Sequence, residues 1–324
     1  MVAKTESTRQ ILDKVLANRE VQEKINIGHT YKNVGSEVIL PNAYTSIEDI
    51  DPKIKIGDDC AAIPDKNGGY TLFAAEGIIS EFLNTDPWFA GYSAVMVNIN
   101  DVLSMGGLPL AVTDVIWGEN KTSLEEIWSG MKAASHAYDT PIVGGHTCYS
   151  SGQKALSVAI IGHANHLLSS FNAKPGQPLL MAIDMSGEYY KDYPFWNAST
   201  KSDRQRLQSK CNIMSFIANH KLSDTAKDIS NGGLLGTVAM LAYTSNVGFK
   251  INFNNIIHPP DGDWFKWLTA FPSYGFILTC EAGIENEIIE IFAQQEVSCQ
   301  VIGQVTEVSS ITIVTDENEN YNFL

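Results

Sequence analysis

The sequence predicts two α/β domains in succession, on three observations. The chain has 324 residues, more than one small core requires and enough for two domains. Apolar runs of strand length alternate with helically periodic segments in both halves. Between the halves, Ala164 to Gln177 is interrupted by Asn165, Ser169, Ser170, Pro175 and Gly176, the composition of a boundary. The expected domains are 1–165 and 166–324. This pattern leaves open whether either sheet is parallel or antiparallel.

Ser7 to Ile25 reads as one helix. Ser7 and Gln10 have capping-box spacing, and Ile11, Leu12, Val15 and Leu16 form the apolar stripe. Asn33 to Lys55 is irregular and strand-like, and Thr71 to Ala75 is a short strand. Asp86-Pro87 starts a helix that runs to about Met105 and stops at Gly106-Gly107. Leu110 to Ile116 is a strand. Ser123 to Tyr138 is a helix, with Ser123 and Glu126 again at capping-box spacing. Pro141 to Val143, Ala155 to Ile161 and Leu179 to Asp184 are strands. Helices follow over about Asp203 to Asn219 and Gly233 to Tyr243. Ile277 to Cys280 is a strand, Ile284 to Gln294 a helix, and Val301-Ile302 and Ile311 to Val314 are strands.

Composition narrows the function. A hydrophobic fraction of 44% against 18% charged residues supplies enough apolar material to offset chain entropy, so the chain is expected to fold. A net charge of −15 disfavours nucleic acid and anionic lipid as partners. It still permits a nucleotide whose charge is bridged by metal ions. No apolar run is long enough to span a bilayer. Met1 to Arg9 lacks the apolar core of a secretion signal, so a cytoplasmic location is expected. The five scattered cysteines form no C-x-x-C, which fits a reducing compartment and argues against zinc.

Four stretches combine glycine with acids or amides. In Ile56 to Ile63 (IGDDCAAI), Asp58 and Asp59 are adjacent carboxylates beside a glycine, flanked by apolar residues. They form either a surface turn or a pair that a cation such as magnesium neutralises. In Val97 to Gly107, on the helix that starts at Asp86-Pro87, Asn98 and Asp101 share one face with Ala94 and Met105. A polar pair on an apolar helix requires partners, from a ligand, a metal or a neighbouring backbone. In Pro141 to Thr147, an apolar strand ends in Gly144, Gly145, His146 and Thr147. That suits a loop presenting amides to an anion, although a solvated loop histidine fits equally. In Ala226 to Leu234, Ser230 or Asn231 can cap the next helix, and Gly232-Gly233 leaves its N-terminus open to an anion. Ordinary helix-start grammar reads the same way. No Walker-type loop, dinucleotide fingerprint or hydrolase elbow occurs.

Taken in order, the four stretches resemble the superfamily of aminoimidazole ribonucleotide (AIR) synthase, thiamine-monophosphate kinase, selenophosphate synthase and the hydrogenase-maturation dehydratase. IGDDCAAI resembles the kinase's GDD segment. Asn98 to Pro109 (NINDVLSMGGLP) is similar to the N-x-x-D-x-x-x-M-G-x-x-P helix. GGHT resembles GGDT or GGHS/T, and Asp228 to Leu234 (DISNGGL) resembles DISDGL. The likeness spans roughly residues 50 to 315.

The resemblance implies two α/β domains per subunit, a homodimer paired through N-terminal domains, and ATP held with Mg2+ on acidic residues. By motif match, Asp58, Asp59 and Asp101 are implied metal ligands. Glu76 stands where the family carries an aspartate after its second strand. Asn98, Gly144, Gly145, His146 and Thr147 are implied to face the nucleotide or its metals, with Ser230 and Asn231 in the fourth motif. Asp228 is implied to hold metal or orient a small-molecule phosphoryl acceptor. The chain departs from the kinase pattern at His146, where GGDT has aspartate, and at Asn231, where DISDGL has aspartate. It also lacks the Cys-Lys pair of selenophosphate synthesis and the D-G-V-G-T-K loop of AIR synthase. The activity implied is γ-phosphate transfer to, or activation of, a small acceptor.

Overall fold

The computed structural model describes residues 6–26, 57–65, 68–149, 152–260 and 262–324. The strand-like stretch expected over Asn33 to Lys55 lies outside these. The fold is mixed α/β and contains two compact units, each assembled from separated stretches. The larger unit takes the described residues up to Asp58 together with Leu168–Ser199 and Lys221–Leu324. The smaller takes Asp59–Leu167 and Thr200–His220.

Two helices open the larger unit in place of the single one expected. Ser7 caps α1 (Thr8–Ala17) by the expected reciprocal bonds with Gln10. Asn18 then turns extended, and its side-chain oxygen accepts from the Glu20 and Val21 amides at 2.9 and 3.2 Å. An asparagine that can satisfy the first amides of a new helix breaks the old one, and α2 covers residues 19–26.

The smaller unit is a five-stranded sheet with helices on one face. Its strands are β1 (Ala61–Pro64), β2 (Tyr70–Ile78), β3 (Leu108–Gly118), β4 (Ile142–Tyr149) and β5 (Ala155–Ala164), in the order β1-β2-β5-β3-β4. Only the β3/β4 pair is parallel. The helices are α3 (Ser80–Thr85), α4 (Pro87–Ser104), α5 (Lys121–Ala137) and α6 (Arg204–Asn219). Asp86-Pro87 starts α4 as expected, although the Asp86 side chain makes no capping bond. The cap of α5 is Asn120 with Ser123 at its third position, not Ser123 with Glu126. Both residue types cap well, and Asn120 stands where the chain enters the helix.

Strand alternation sorts the sheet into two faces. Leu72, Ala74, Val112, Ile116, Leu156, Val158 and Ile160 are buried on the inner face, against which α4 packs. Ile63, Phe73, Leu108 and Ile161 fall on the outer face and are exposed. Among the described residues of this unit, no element covers them.

The larger unit is built on a seven-stranded sheet in the order β15-β14-β10-β13-β6-β12-β9. These strands are β6 (Pro178–Ile183), β9 (Thr225–Asp228), β10 (Gly248–Asn252), β12 (Gly275–Thr279), β13 (Ser298–Thr306), β14 (Ile311–Val314) and β15 (Asn320–Asn322). A three-stranded sheet of β7 (Glu188–Tyr189), β8 (Phe195–Asn197) and β11 (Phe271–Pro272) lies in the same unit. Met181, Ile183 and Ile277 join residues of α1, α7 (Gly233–Ser245) and α8 (Trp264–Leu268) in one apolar core. The alternate positions Leu180, Ala182, Phe276 and Leu278 are buried on the other face, with α9 (Glu285–Ala293) against β6 and β13.

Helix α4 is buried on nearly every side. It approaches α5 so closely that a Cβ on Gly130 would stand 1.8 Å from the Trp88 carbonyl oxygen, and one on Gly91 2.1 Å from that of Ile127. Backbone cannot yield as a side chain tip can. We therefore expect Gly130→Ala to destabilise the protein by about 1–3 kcal/mol, lowering the thermal midpoint by several degrees. Gly77→Ala, with nothing within 4 Å of the new methyl, serves as the neutral control. Calorimetry that finds equal midpoints for the two variants would contradict this helix contact.

Candidate functional site

The adjacent carboxylates of the first motif part company. Asp58 accepts from the Ser169 hydroxyl at 2.6 Å and the Ser170 amide at 3.0 Å, all within the larger unit. Asp59 accepts from the Ser104 hydroxyl at 2.8 Å, within the smaller unit. The chain thus passes from one unit to the other between the two residues. Each carboxylate is met by hydrogen-bond donors, which offset part of the cost of drawing it from water.

Ser104 links Asp59 to the second motif. Its hydroxyl lies 2.8 Å from the Asp59 carboxylate and 2.8 Å from the Asp101 carbonyl oxygen, at the last turn of α4. Asp59 is therefore held about one helical turn from Asp101. Asn98, one turn earlier, is fully buried. Its amide nitrogen donates to the Ala94 carbonyl at 2.8 Å, while its side-chain oxygen accepts no hydrogen bond from the described residues. A buried amide oxygen left so costs about 1–3 kcal/mol unless something else satisfies it.

The third motif is strand, not loop. Gly144 to Thr147 lie inside β4, paired in parallel with β3 after a register shift at Val143, so the strand begun by the apolar run continues through the glycines. Alternation sends Gly145 and Thr147 to the inner face of the sheet and Gly144 and His146 to the outer one. His146 shares a row with Val115, Ser157 and Gly77. Glu76 lies on the inner face, in a row that continues through Val158 and Asp114 to Gly145.

Asp114 was missed from the sequence, although an acid in the apolar strand Leu110 to Ile116 was a usable signal. It is 8% exposed. A Cβ added to Gly145 would lie 2.4 Å from its Oδ1, so this glycine makes room for a carboxylate. Burial pushes the Asp114 carboxyl above the usual carboxylate range, with no donor or cation among the described residues opposing the shift.

The fourth motif lies in the larger unit. Asp228 is buried at the end of β9, opposite Phe276. The helix that follows is capped neither by Ser230 nor by Asn231. Its cap is Gly232, in the left-handed region at φ 85° and with no side-chain bond, while the Ser230 carbonyl accepts from the Gly233 amide at 2.9 Å. Nor is the turn open. A Cβ on Gly232 would meet the Lys24 side chain at 3.1 Å and the Glu20 carbonyl at 3.2 Å, and one on Gly233 the Leu268 carbonyl at 2.1 Å. Close packing on α8 thus excludes a side chain at Gly233, while the left-handed backbone at Gly232 favours glycine there. Asn231 is exposed and Ser230 half-buried.

Among the described residues, no three His, Cys, Asp or Glu side chains gather into a metal-binding cluster. The oxygen donors come in smaller sets: Asp59 near Asp101, and Glu76 in one row with Asp114. Carboxylate and amide oxygens are the donors Mg2+ prefers, and it commonly takes one or two of them with phosphate and water completing the shell. The unsatisfied Asn98 oxygen and the buried Asp114 carboxylate fit such an ion. No helix of the described residues is long and apolar enough to cross a membrane.

Comparison with known proteins places these motifs. Residues 57–164 match the model for the AIR synthase related protein N-terminal domain, and residues 179–316 that for its C-terminal domain. The chain is 40% identical over 261 residues to the uncharacterized protein sll0787 of Synechocystis sp., covering 80% of this chain and 81% of that one. Among solved structures, Thermotoga maritima PurL complexed with ATP superposes with a TM-score of 0.70 at 18% identity. That match covers 81% of this chain and 44% of the PurL chain. AaThiL complexed with AMPPCP and TMP gives 0.63 at 19% identity, covering 84% and 92%. With both domain models matched over the residues that carry its four motifs, the chain belongs to the AIR synthase related protein family.

Proposed function

We propose that this protein is an ATP-using, Mg2+-dependent enzyme that transfers the γ-phosphate to a small-molecule acceptor, or activates the acceptor with it. The observation that carries the proposal is the anchoring of Asp59 beside Asp101 through Ser104, with the unsatisfied oxygen of Asn98 one turn away. The family and two nucleotide-bound structural relatives, PurL with ATP and ThiL with AMPPCP, supply the ligand class.

Phosphoryl transfer asks a protein mainly for positioning and charge neutralisation. Asp59, Asp101, Asn98 and Glu76 would hold the metal, with Asp58 assigned to it by motif. When bound, Mg2+ supplies the positive charge that the phosphate oxygens need as the bond to the leaving group lengthens. Gly144 and Gly145 present backbone without side chains, and Thr147 a hydroxyl, on an edge strand. His146, Ser230 and Asn231 are assigned to nucleotide contacts by motif alone. Asp228 is assigned to metal holding or acceptor orientation on the same ground. A hydroxyl acceptor would make the reaction a kinase's, and an amide or carboxylate acceptor a ligase's. We place the protein in the cytoplasm.

Asp101→Asn keeps the shape of the side chain and removes its charge. We expect it to lower ADP release by about 10²-fold or more, the scale of losing one electrostatic contact to the reacting group, with circular dichroism unchanged. Coupled ADP assays across hydroxyl, amide and carboxylate acceptors provide the measurement. ATP binding with no turnover on any acceptor, in wild type as in the variant, would replace the enzyme with a nucleotide-binding subunit.

The exposed outer face of the five-stranded sheet supports a homodimer. Phe73, 49% exposed, pairs with Ala61 and Ile161 in a continuous apolar row, and patches of this kind on soluble proteins mark interfaces. Phe73→Glu should convert the dimer to a monomer in light scattering. If wild type is already monomeric at tens of micromolar, this surface has another purpose.

A further inference from the structure

We propose that Asp114 is an additional ligand for a divalent cation, on the inner face of the five-stranded sheet and beside Gly145. The inference rests on the ATP and Mg2+ reading above and extends it to a residue outside the four motifs.

Three observations converge on it. Asp114 is more than nine-tenths buried, and no hydrogen bond or ion pair reaches its carboxylate from the described residues. Burying an ionised carboxylate without compensation is among the costliest things a fold can do. A strand built only for packing would carry an apolar residue here, as Val112 and Ile116 do on the same face. The neighbouring strand also yields space to this group. Gly145 leaves its carboxylate room that any side chain would take, since a Cβ there would come within 2.4 Å of Oδ1. That gives the second glycine of Gly-Gly-His-Thr a definite purpose. Further oxygen donors belong to the same layer. Glu76 continues the row of Asp114 across Val158, and α4, which packs on β2, β3 and β5, carries the fully buried Asn98 with its unsatisfied oxygen. Hard oxygen donors such as the Asp114 carboxylate and the Asn98 amide oxygen, which no described residue meets with a donor or cation, are what Mg2+ or Mn2+ binds, with water and phosphate filling the remaining positions.

A neutral, protonated Asp114 is the competing account, and metal binding separates the two. Free Mn2+ is followed by electron paramagnetic resonance while the full chain is titrated, with and without AMPPCP. Asp114→Asn is expected to weaken Mn2+ binding at one site by at least tenfold. In metal-free buffer it should melt at or above the wild-type midpoint, because an uncompensated charge has gone. Gly145→Ala, which crowds the carboxylate, should weaken Mn2+ in the same direction. Mn2+ binding equal to wild type in both variants overturns the assignment. Failure of the nucleotide reading looks different: AMPPCP then neither binds nor changes Mn2+ affinity, while the Mn2+ site that depends on Asp114 persists.

Discussion

Helix α4 has to be buried on nearly all sides and yet carry Asn98, Asn100, Asp101 and Ser104 within its last two turns. Much of the smaller unit follows from meeting that demand. An apolar helix in this position would need only shape. A helix with polar groups needs donors and acceptors delivered to set points, because each group left unmet costs about 1–3 kcal/mol. Ser104 meets part of the requirement by lying between the Asp101 carbonyl and the Asp59 carboxylate. The close approach of α5 meets the packing part, with glycine on both helices where they cross. The bond to Ser104 also fixes Asp59 at the end of α4, so the chemistry of the first motif and the stability of the central helix share one contact.

The period of two along a strand imposes a second constraint. Gly-Gly-His-Thr reads as one motif, but once it lies in β4 its members divide between opposite faces of the sheet. Gly145 and Thr147 share the inner layer with Glu76 and Asp114, and His146 stands on the outer layer with Val115. An aspartate at position 146 would stand on that outer layer as well, so the departure from GGDT changes the charge of the outer face and leaves the inner oxygen set intact.

How much of this was legible depended on how local the cause was. The capping box at Ser7, the start of α4 after Asp86-Pro87 and the stop at Gly106-Gly107 are set by neighbouring residues, and they could be read directly. Asn18 breaks a helix whose apolar stripe continues through it, so periodicity concealed the break. The two units exchange stretches at 58/59, 167/168, 199/200 and 220/221. α6 joins the smaller unit by packing on α4, α5 and β3, contacts distant in sequence that leave no local mark. Asp114 was overlooked because motif reading looks for acids beside glycines, and its glycine lies 31 residues later, across a strand pair. Gly232-Gly233 is ambiguous in sequence for the opposite reason. Helix-start grammar and close packing ask for the same residue, and here the packing of α8 on Gly233 and the left-handed backbone at Gly232 are sufficient cause.

The polar groups of the four motifs, together with Asp114 outside them, divide by how well the protein itself satisfies them, and that division carries chemical information. Asp58 receives a hydroxyl and an amide, and Asp59 a hydroxyl, so hydrogen bonds already offset part of their desolvation. From the described residues, Asp114 and the side-chain oxygen of Asn98 receive none. Desolvation without compensation persists in a fold only where something repays it. Both deficits belong to the smaller unit, one on the inner face of its sheet and one on the helix that covers that face. Both are oxygens, and both call for a positive charge or a donor. A hydrated divalent cation carrying phosphate would supply the charge and the donors together, which is the reading proposed for this layer.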